Sequence, residues 1–191
     1  MEYTIDSNSR LQVEKELFAG LTSSVRPTIF VMAGIPGAGK TTFVNKMLAE
    51  GVFPNNAFIL SPDRVMEALP TYQKDFVELG AEEAFQRWEL PARKLAYDFY
   101  DMAVANGMDI IQDMGGARWE IYEMLKGLKE QHGYRLQMYW LNTPIEVALA
   151  RIAQRPRYTS ARMVWERYNV LQSLKSLYLR LCDCFTQISL Q

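Results

Sequence analysis

The stretch from Thr28 to Thr42 constrains this chain more than any other. It opens with Thr28-Ile29-Phe30-Val31-Met32-Ala33, a continuous apolar and partly β-branched run between Pro27 and Gly34. That is the pattern of a strand buried on both faces. Gly34-Ile35-Pro36-Gly37-Ala38-Gly39-Lys40-Thr41 follows and fits the phosphate-loop spacing Gly-x4-Gly-Lys-[Ser/Thr] in full. A helix from Thr41 to Glu50, closed by Gly51, completes the unit. Glycines let the backbone approach phosphate oxygens closely, successive N–H groups point inward, and the helix adds its positive end. Lys40 offers a mobile cation to β- and γ-phosphates, and Thr41 offers a hydroxyl to magnesium. ATP or GTP with Mg2+ is therefore expected on Gly34, Ile35, Pro36, Gly37, Ala38, Gly39, Lys40, Thr41 and Thr42. A plain tight turn with a solvated lysine is the bland alternative, and both flanks weigh against it. The loop alone specifies neither the base nor the reaction.

Beyond the loop, strands alternate with helices. Further strands are read at Ala57–Leu60, Asp109–Gln112, Arg135–Leu141 and Cys184–Leu190. Between them lie helical stretches from Asp63 to Asn106 (broken at Pro70 and near Gly80, bent at Pro91), Trp119–Gln131, Pro144 to about Arg155, and Ala161–Leu181. This order implies an α/β fold, a three-layer sandwich around a mostly parallel five-stranded sheet. An amphipathic helix over Ser9–Gly20 marks residues 1–25 as an N-terminal helical extension, read as covering the sheet. Residues 26–191 form the main domain, with a short lid near 151–162. Ligands in such sheets bind beyond the carboxyl ends of the strands. The loop after Ala33, the segment at Asp63 and the turn at Asp113 should meet there.

Composition narrows the classes. Net charge is −1, from 21 basic and 22 acidic residues. A chain that neutralises nucleic-acid backbone usually carries a basic excess, so nucleic acid is not an expected partner. The single His132 precedes Gly133 at a helix end, where a solvated position is expected. Cys182 and Cys184 are too few for a disulfide scaffold, and packing is their plain reading. The first residues carry no signal-peptide pattern and no apolar run is long enough to span a bilayer, so a cytoplasmic setting is expected. Trp88, Trp119, Tyr139, Trp140 and Trp165 are read as core residues.

Three further groups carry chemistry. Asp63, one residue past Pro62, could take a proton from an attacking hydroxyl; the plain alternative is a carboxylate favouring a helix N-terminus. Asp113 could hold magnesium through water; its alternative is a turn aspartate before Gly115. Arg151, Arg155 and Arg157 form a basic run, and a guanidinium there could neutralise charge on the transferring phosphoryl group; a solvated helix face is the alternative. Arg162 and Arg167 are read as surface or ion-pair residues.

The chain resembles small P-loop kinases of the nucleoside-kinase-like kind, and the zeta toxin family in particular. The resemblance is carried by the loop through Thr42, by Ile59-Leu60-Ser61-Pro62-Asp63-Arg64, and by Ile110-Ile111-Gln112-Asp113-Met114-Gly115-Gly116. Gly133-Tyr134-Arg135-Leu136-Gln137-Met138-Tyr139-Trp140-Leu141, Ala148-Leu149-Ala150-Arg151-Ile152-Ala153-Gln154-Arg155 and Glu166-Arg167-Tyr168 continue it. It runs from about Arg26 to Ile188, and only the loop is specific. It implies a phosphotransferase acting on a hydroxyl, as zeta toxins do on UDP-N-acetylglucosamine, and an antitoxin-like protein inhibitor as partner. By the same resemblance Asp63 matches the family's catalytic base, Asp98 its acceptor-holding acid on the long helix, and Asp113 its carboxylate after the third strand. Two departures bear on the acceptor. The usual Glu-Gly-Thr-Gly is replaced by Gln112-Asp113-Met114-Gly115-Gly116, and the lid Gln154-Arg155-Pro156-Arg157-Tyr158 lacks the Gly-Gly-His string of relatives. A polynucleotide 5′-kinase and a non-catalytic nucleotide-binding regulator are the alternatives.

Overall fold

The computed structural model describes residues 3–154 and 160–189. Five strands form one sheet: β1 (Thr28–Ala33), β2 (Phe58–Leu60), β3 (Ile110–Gly115), β4 (Arg135–Asn142) and β5 (Cys184–Ser189). Their order is β2-β3-β1-β4-β5, and every pairing is parallel. The helices are α1 (Ser7–Leu17), α2 (Lys40–Ala49), α3 (Pro62–Ala68), α4 (Pro70–Leu79), α5 (Ala81–Ala105), α6 (Trp119–His132), α7 (Ile145–Ala153) and α8 (Ala161–Leu181).

Period-two alternation divides the strands between two cores. Ile29, Val31, Ile110, Leu60, Leu136 and Met138 face the larger one, with Val13 of α1, Leu95 and Phe99 of α5, Leu125 of α6 and Leu174 of α8. Phe30, Met32 and Ile111 face the smaller one, against Val44 of α2 and Phe53. Helices thus cover both sides of the sheet. The first helix belongs to the larger core: Val13 is fully buried, and Phe18 stacks on Phe58 with ring centroids 5.1 Å apart. Asp6 caps it by accepting from Asn8 and Ser9 N–H groups, each at 3.0 Å.

Some boundaries differ from the pattern-based reading. β3 runs past Gln112 to Gly115, because the Gly34 N–H donates to the Gly115 carbonyl and draws the glycines into the ladder. Pro91 sits inside α5, in keeping with a helix that continues through it. Trp119 and Trp165 are about half exposed, whereas Trp88 and Trp140 are core. Cys184 is exposed, on the outer strand. Among the described residues no helix is long and apolar enough to cross a membrane.

Candidate active site

Because all strands are parallel, their carboxyl ends share one edge, and the loop between β1 and α2 occupies its centre. Gly39 takes a left-handed φ of 88° as the N-cap of α2, and Gly37 a φ of 81°. A Cβ on Gly37 would lie 2.4 Å from the Ala148 carbonyl oxygen, so α7 packs backbone to backbone on the loop. The buried Thr143 hydroxyl, just after β4, donates to the Ala38 carbonyl at 3.1 Å and holds the loop from the same side. Lys40 Nζ donates to the carbonyls of Gly34 (3.2 Å) and Ile35 (3.0 Å).

Asp113 joins this loop directly. Alternation puts Ile111 and Asp113 on the α2 face, and Thr41 Oγ1 donates to Asp113 Oδ2 at 2.7 Å. The register then slips: Val31 pairs with Gln112, but Ala33 pairs with Gly115. Asp113 and Met114 therefore stand against the single residue Met32, a bulge of the kind that re-aims side chains beside active sites. Burial pushes the Asp113 carboxyl up; the Thr41 hydrogen bond and Lys40 oppose this, and Asp63 adds to it. Its Oδ1 is buried without a partner among the described residues. Such an oxygen is left for a ligand to satisfy.

Asp63 enters from the next strand outward. Ser61 and Pro62 open α3, and Asp63 lies in its first turn within electrostatic reach of Asp113. Glu67, one turn further, is pushed up by burial and then by Asp63. Arg64, on the same turn, reaches Asn45 Oδ1 of α2 at 3.4 Å. Sequence reasoning passed over Arg64, Glu67 and Thr143. Spacing of four from Asp63 gave a signal for Glu67 alone.

The remaining candidates are dispersed. Asp98 lies on α5, where Arg10 of α1 pairs with it at 2.6 Å, and it lines a cavity of about 850 Å3 between α5 and the N-terminal segment. Arg151 sits partly buried in the last turn of α7. Arg155 and Arg157 lie outside the described residues. Arg162 is an exposed ion-pair residue, bonded to Glu166 at 2.8 Å. Arg167 instead is half-buried and donates to the Ala117 carbonyl at 3.0 Å, beside the turn after β3. His132 is exposed and precedes Gly133, which ends α6 in a left-handed conformation.

Could these residues hold a nucleotide with its metal? The loop carries the glycines, lysine and helix start that a triphosphate needs, and Thr41 with Asp113 offers two oxygen-bearing groups to a hard cation. Among the described residues there is no cluster of three or more His, Cys, Asp or Glu for a metal. The arrangement suits a cation held jointly by protein, water and phosphate, the habit of Mg2+ rather than of a structural zinc.

A parallel sheet with this loop at its centre and carboxylates on the flanking strands defines a P-loop kinase fold. A family model for zeta toxins matches residues 14–183, and the chain belongs to the zeta toxin family. Among solved structures, it is similar to one from the PezAT chromosomal toxin-antitoxin system of Streptococcus pneumoniae (TM-score 0.75, 18% identity, 99% of this chain and 80% of that one). It is also similar to the AvrRxo1-ORF1:AvrRxo1-ORF2 complex with ATP (0.67, 16%), where it covers 96% of itself and 60% of that chain. A kinase-like protein of Chloroflexus aurantiacus matches at 0.53 and 20% identity, over 85% of this chain and 88% of that one. No curated protein matches the chain in sequence. Family and fold together support a nucleotide-dependent phosphotransferase.

Proposed function

We propose that this chain transfers the γ-phosphoryl group of ATP or GTP to a hydroxyl of a small molecule, with a sugar nucleotide resembling UDP-N-acetylglucosamine as the acceptor class. The observation that carries the reading is the bond between Thr41 and Asp113, with the orphaned Asp113 oxygen beside it and Asp63 within electrostatic reach. A donor site and an acidic group for an acceptor hydroxyl thus share one sheet edge.

In this reading the loop amides and Lys40 hold the donor phosphates. Thr41 and Asp113 hold Mg2+, which supplies charge neutralisation to the phosphate oxygens when bound. Asp63 takes the proton from the acceptor hydroxyl. The hydroxyl oxygen bonds the γ-phosphorus, and the bond to the bridging oxygen breaks with its electrons left on the nucleoside diphosphate. Arg151, Arg155 and Arg157 are the candidates for stabilising charge on the equatorial oxygens. Asp98 lines the cavity on α5 in which the body of the acceptor would lie. Positioning and charge stabilisation account for most catalysis of this type. One similar structure belongs to the PezAT toxin-antitoxin system and another is the AvrRxo1-ORF1:AvrRxo1-ORF2 complex, which supports an antitoxin-like inhibitor as partner; a cytoplasmic setting is part of the same proposal.

The test is transfer of labelled γ-phosphate to a pool of sugar nucleotides, nucleosides and cofactors. Wild type labels an acceptor. Asp63→Asn binds nucleotide equally well and loses transfer by at least about 100-fold, the lower range for a positioned acid–base group. Labelling that survives in Asp63→Asn, or no labelled product from a wild type that binds ATP, refutes the reading.

A further inference from the structure

We propose that β5 is an interface at which two copies of this chain pair antiparallel across a two-fold axis, joining their sheets into one. β5 closes one side of the sheet, and among the described residues no strand pairs with its outer side. Exposed strand edges are usually blunted by shortness, charge, proline or a bulge. The opposite edge is blunted in the first way, since β2 spans only Phe58–Leu60. β5 has none of these features. It runs for six residues, Cys184-Phe185-Thr186-Gln187-Ile188-Ser189, without a charge or a proline, and its register with β4 is unbroken. The Asp183 N–H donates to the Leu136 carbonyl at 2.9 Å, and backbone groups alternate in direction along a strand. Phe185, Gln187 and Ser189 therefore turn their N–H and C=O groups toward β4. Cys184, Thr186 and Ile188 turn theirs to the open side.

That spacing fits a second copy in one register. With Thr186 on the axis, Thr186 stands opposite the partner's Thr186, Cys184 opposite the partner's Ile188, and Ile188 opposite the partner's Cys184. Every outward-directed residue of the strand then meets another, and each such pair exchanges two hydrogen bonds. No like charges face each other, because the strand carries none, and a cross-strand threonine pair is favourable. The charges flanking the strand commit it to the antiparallel arrangement. Arg180, exposed in the last turn of α8, lies at the amino end of β5, and the exposed Arg135 at the start of β4 adds to the positive charge there. Glu146, exposed in the first turn of α7, lies at the carboxyl end, where it lines a small cavity with Ser189. Neither Arg180 nor Glu146 has an ion-pair partner among the described residues. Asp183 is engaged by Lys129, and Lys175 by Gln187 and the Trp140 ring. Antiparallel pairing brings each copy's Arg180 to the end that carries the partner's Glu146. Parallel pairing would set arginine against arginine and glutamate against glutamate. The two-fold axis also directs the two phosphate loops to opposite edges of the joined sheet, so neither faces the other.

The experiment is sedimentation equilibrium over a range of concentrations, with thermal melting of each variant as the control for folding. Wild type sediments as a dimer at about 100 µM and dissociates on dilution, as small interfaces do. Thr186→Lys sets two ammonium groups against each other on the axis and weakens association at least about tenfold. Glu146→Arg and Arg180→Glu each weaken it by placing like charges together, and the two combined restore it toward wild type. A wild type that stays monomeric at the highest concentration, or a dimer insensitive to Thr186→Lys, overturns the proposal. If Thr186→Lys fails to fold, the charge exchange decides. Single variants as tight as wild type, or a double variant no tighter than the singles, then overturn it.

Discussion

Replacing Asp113 by Asn separates stability from ligand binding. In the unliganded protein burial raises the Asp113 carboxyl above its ordinary value of 3.8, so the folded state holds the proton more tightly than the unfolded chain. The sign follows. The stability this group contributes is full below 3.8 and is lost as pH rises through the raised folded value. Asparagine removes that loss and still accepts the Thr41 hydrogen bond through its carbonyl oxygen. The ligand-free variant should therefore melt at or above the wild-type temperature at pH 7, and the decline in wild-type stability above 3.8 should flatten. Binding moves the other way. Loss of a carboxylate supporting a metal site lowers metal affinity about 10- to 100-fold, equivalent to about 1.4 to 2.7 kcal/mol. The assay pairs thermal unfolding in EDTA from pH 3.5 to 8 with Mg2+ titrations of nucleotide binding. A variant that melts several degrees lower without ligand, or whose Mg2+ requirement is unchanged, refutes this placement of Asp113.

Two further changes test the framework around the loop. Gly37→Ala puts a Cβ 2.4 Å from the Ala148 oxygen at a φ of 81°, combining left-handed strain of about 1–2 kcal/mol with overpacking of about 1–3 kcal/mol; nucleotide affinity measured by calorimetry should fall at least about tenfold, and wild-type affinity with wild-type melting would contradict the backbone contact with α7. Tyr178→Phe removes the buried hydroxyl that donates to the Gly116 carbonyl at 2.8 Å, so unfolding in urea should show a loss of about 1–3 kcal/mol, and an unchanged midpoint would mean that water replaces the hydroxyl.

The parts of the fold governed by local pattern were legible in the chain. The apolar run before Gly34, the glycine spacing and the alternation of strands with helices placed the loop, Asp63 and Asp113 at the ends of strands, and parallel pairing brings them to one edge. What stayed hidden depends on contacts distant in sequence. The bulge at Asp113 and Met114 arises from pairing with β1, and no residue near it announces the slip. Arg167 has the sequence surroundings of a surface residue, yet its duty lies 50 residues away at the Ala117 carbonyl. Thr143 is an ordinary residue after a strand until β4 is placed beside β1 and its hydroxyl meets Ala38. Asp98, matched by resemblance to the family's acceptor-holding acid, pairs with Arg10 across 88 residues, a contact between α1 and α5 that local pattern does not give.

The two hydrogen bonds from Lys40 back to its own loop have a consequence for selectivity. The carbonyls of Gly34 and Ile35 stand where oxyanion oxygens would otherwise attract the ammonium. An incoming ligand is therefore a competitor for Lys40, and these two carbonyl oxygens are among the groups it displaces. A solitary phosphate brings one anionic group to this exchange, whereas a nucleoside triphosphate engages the amides, the lysine and the metal ligands together. Intramolecular competition of this kind raises the threshold for occupancy.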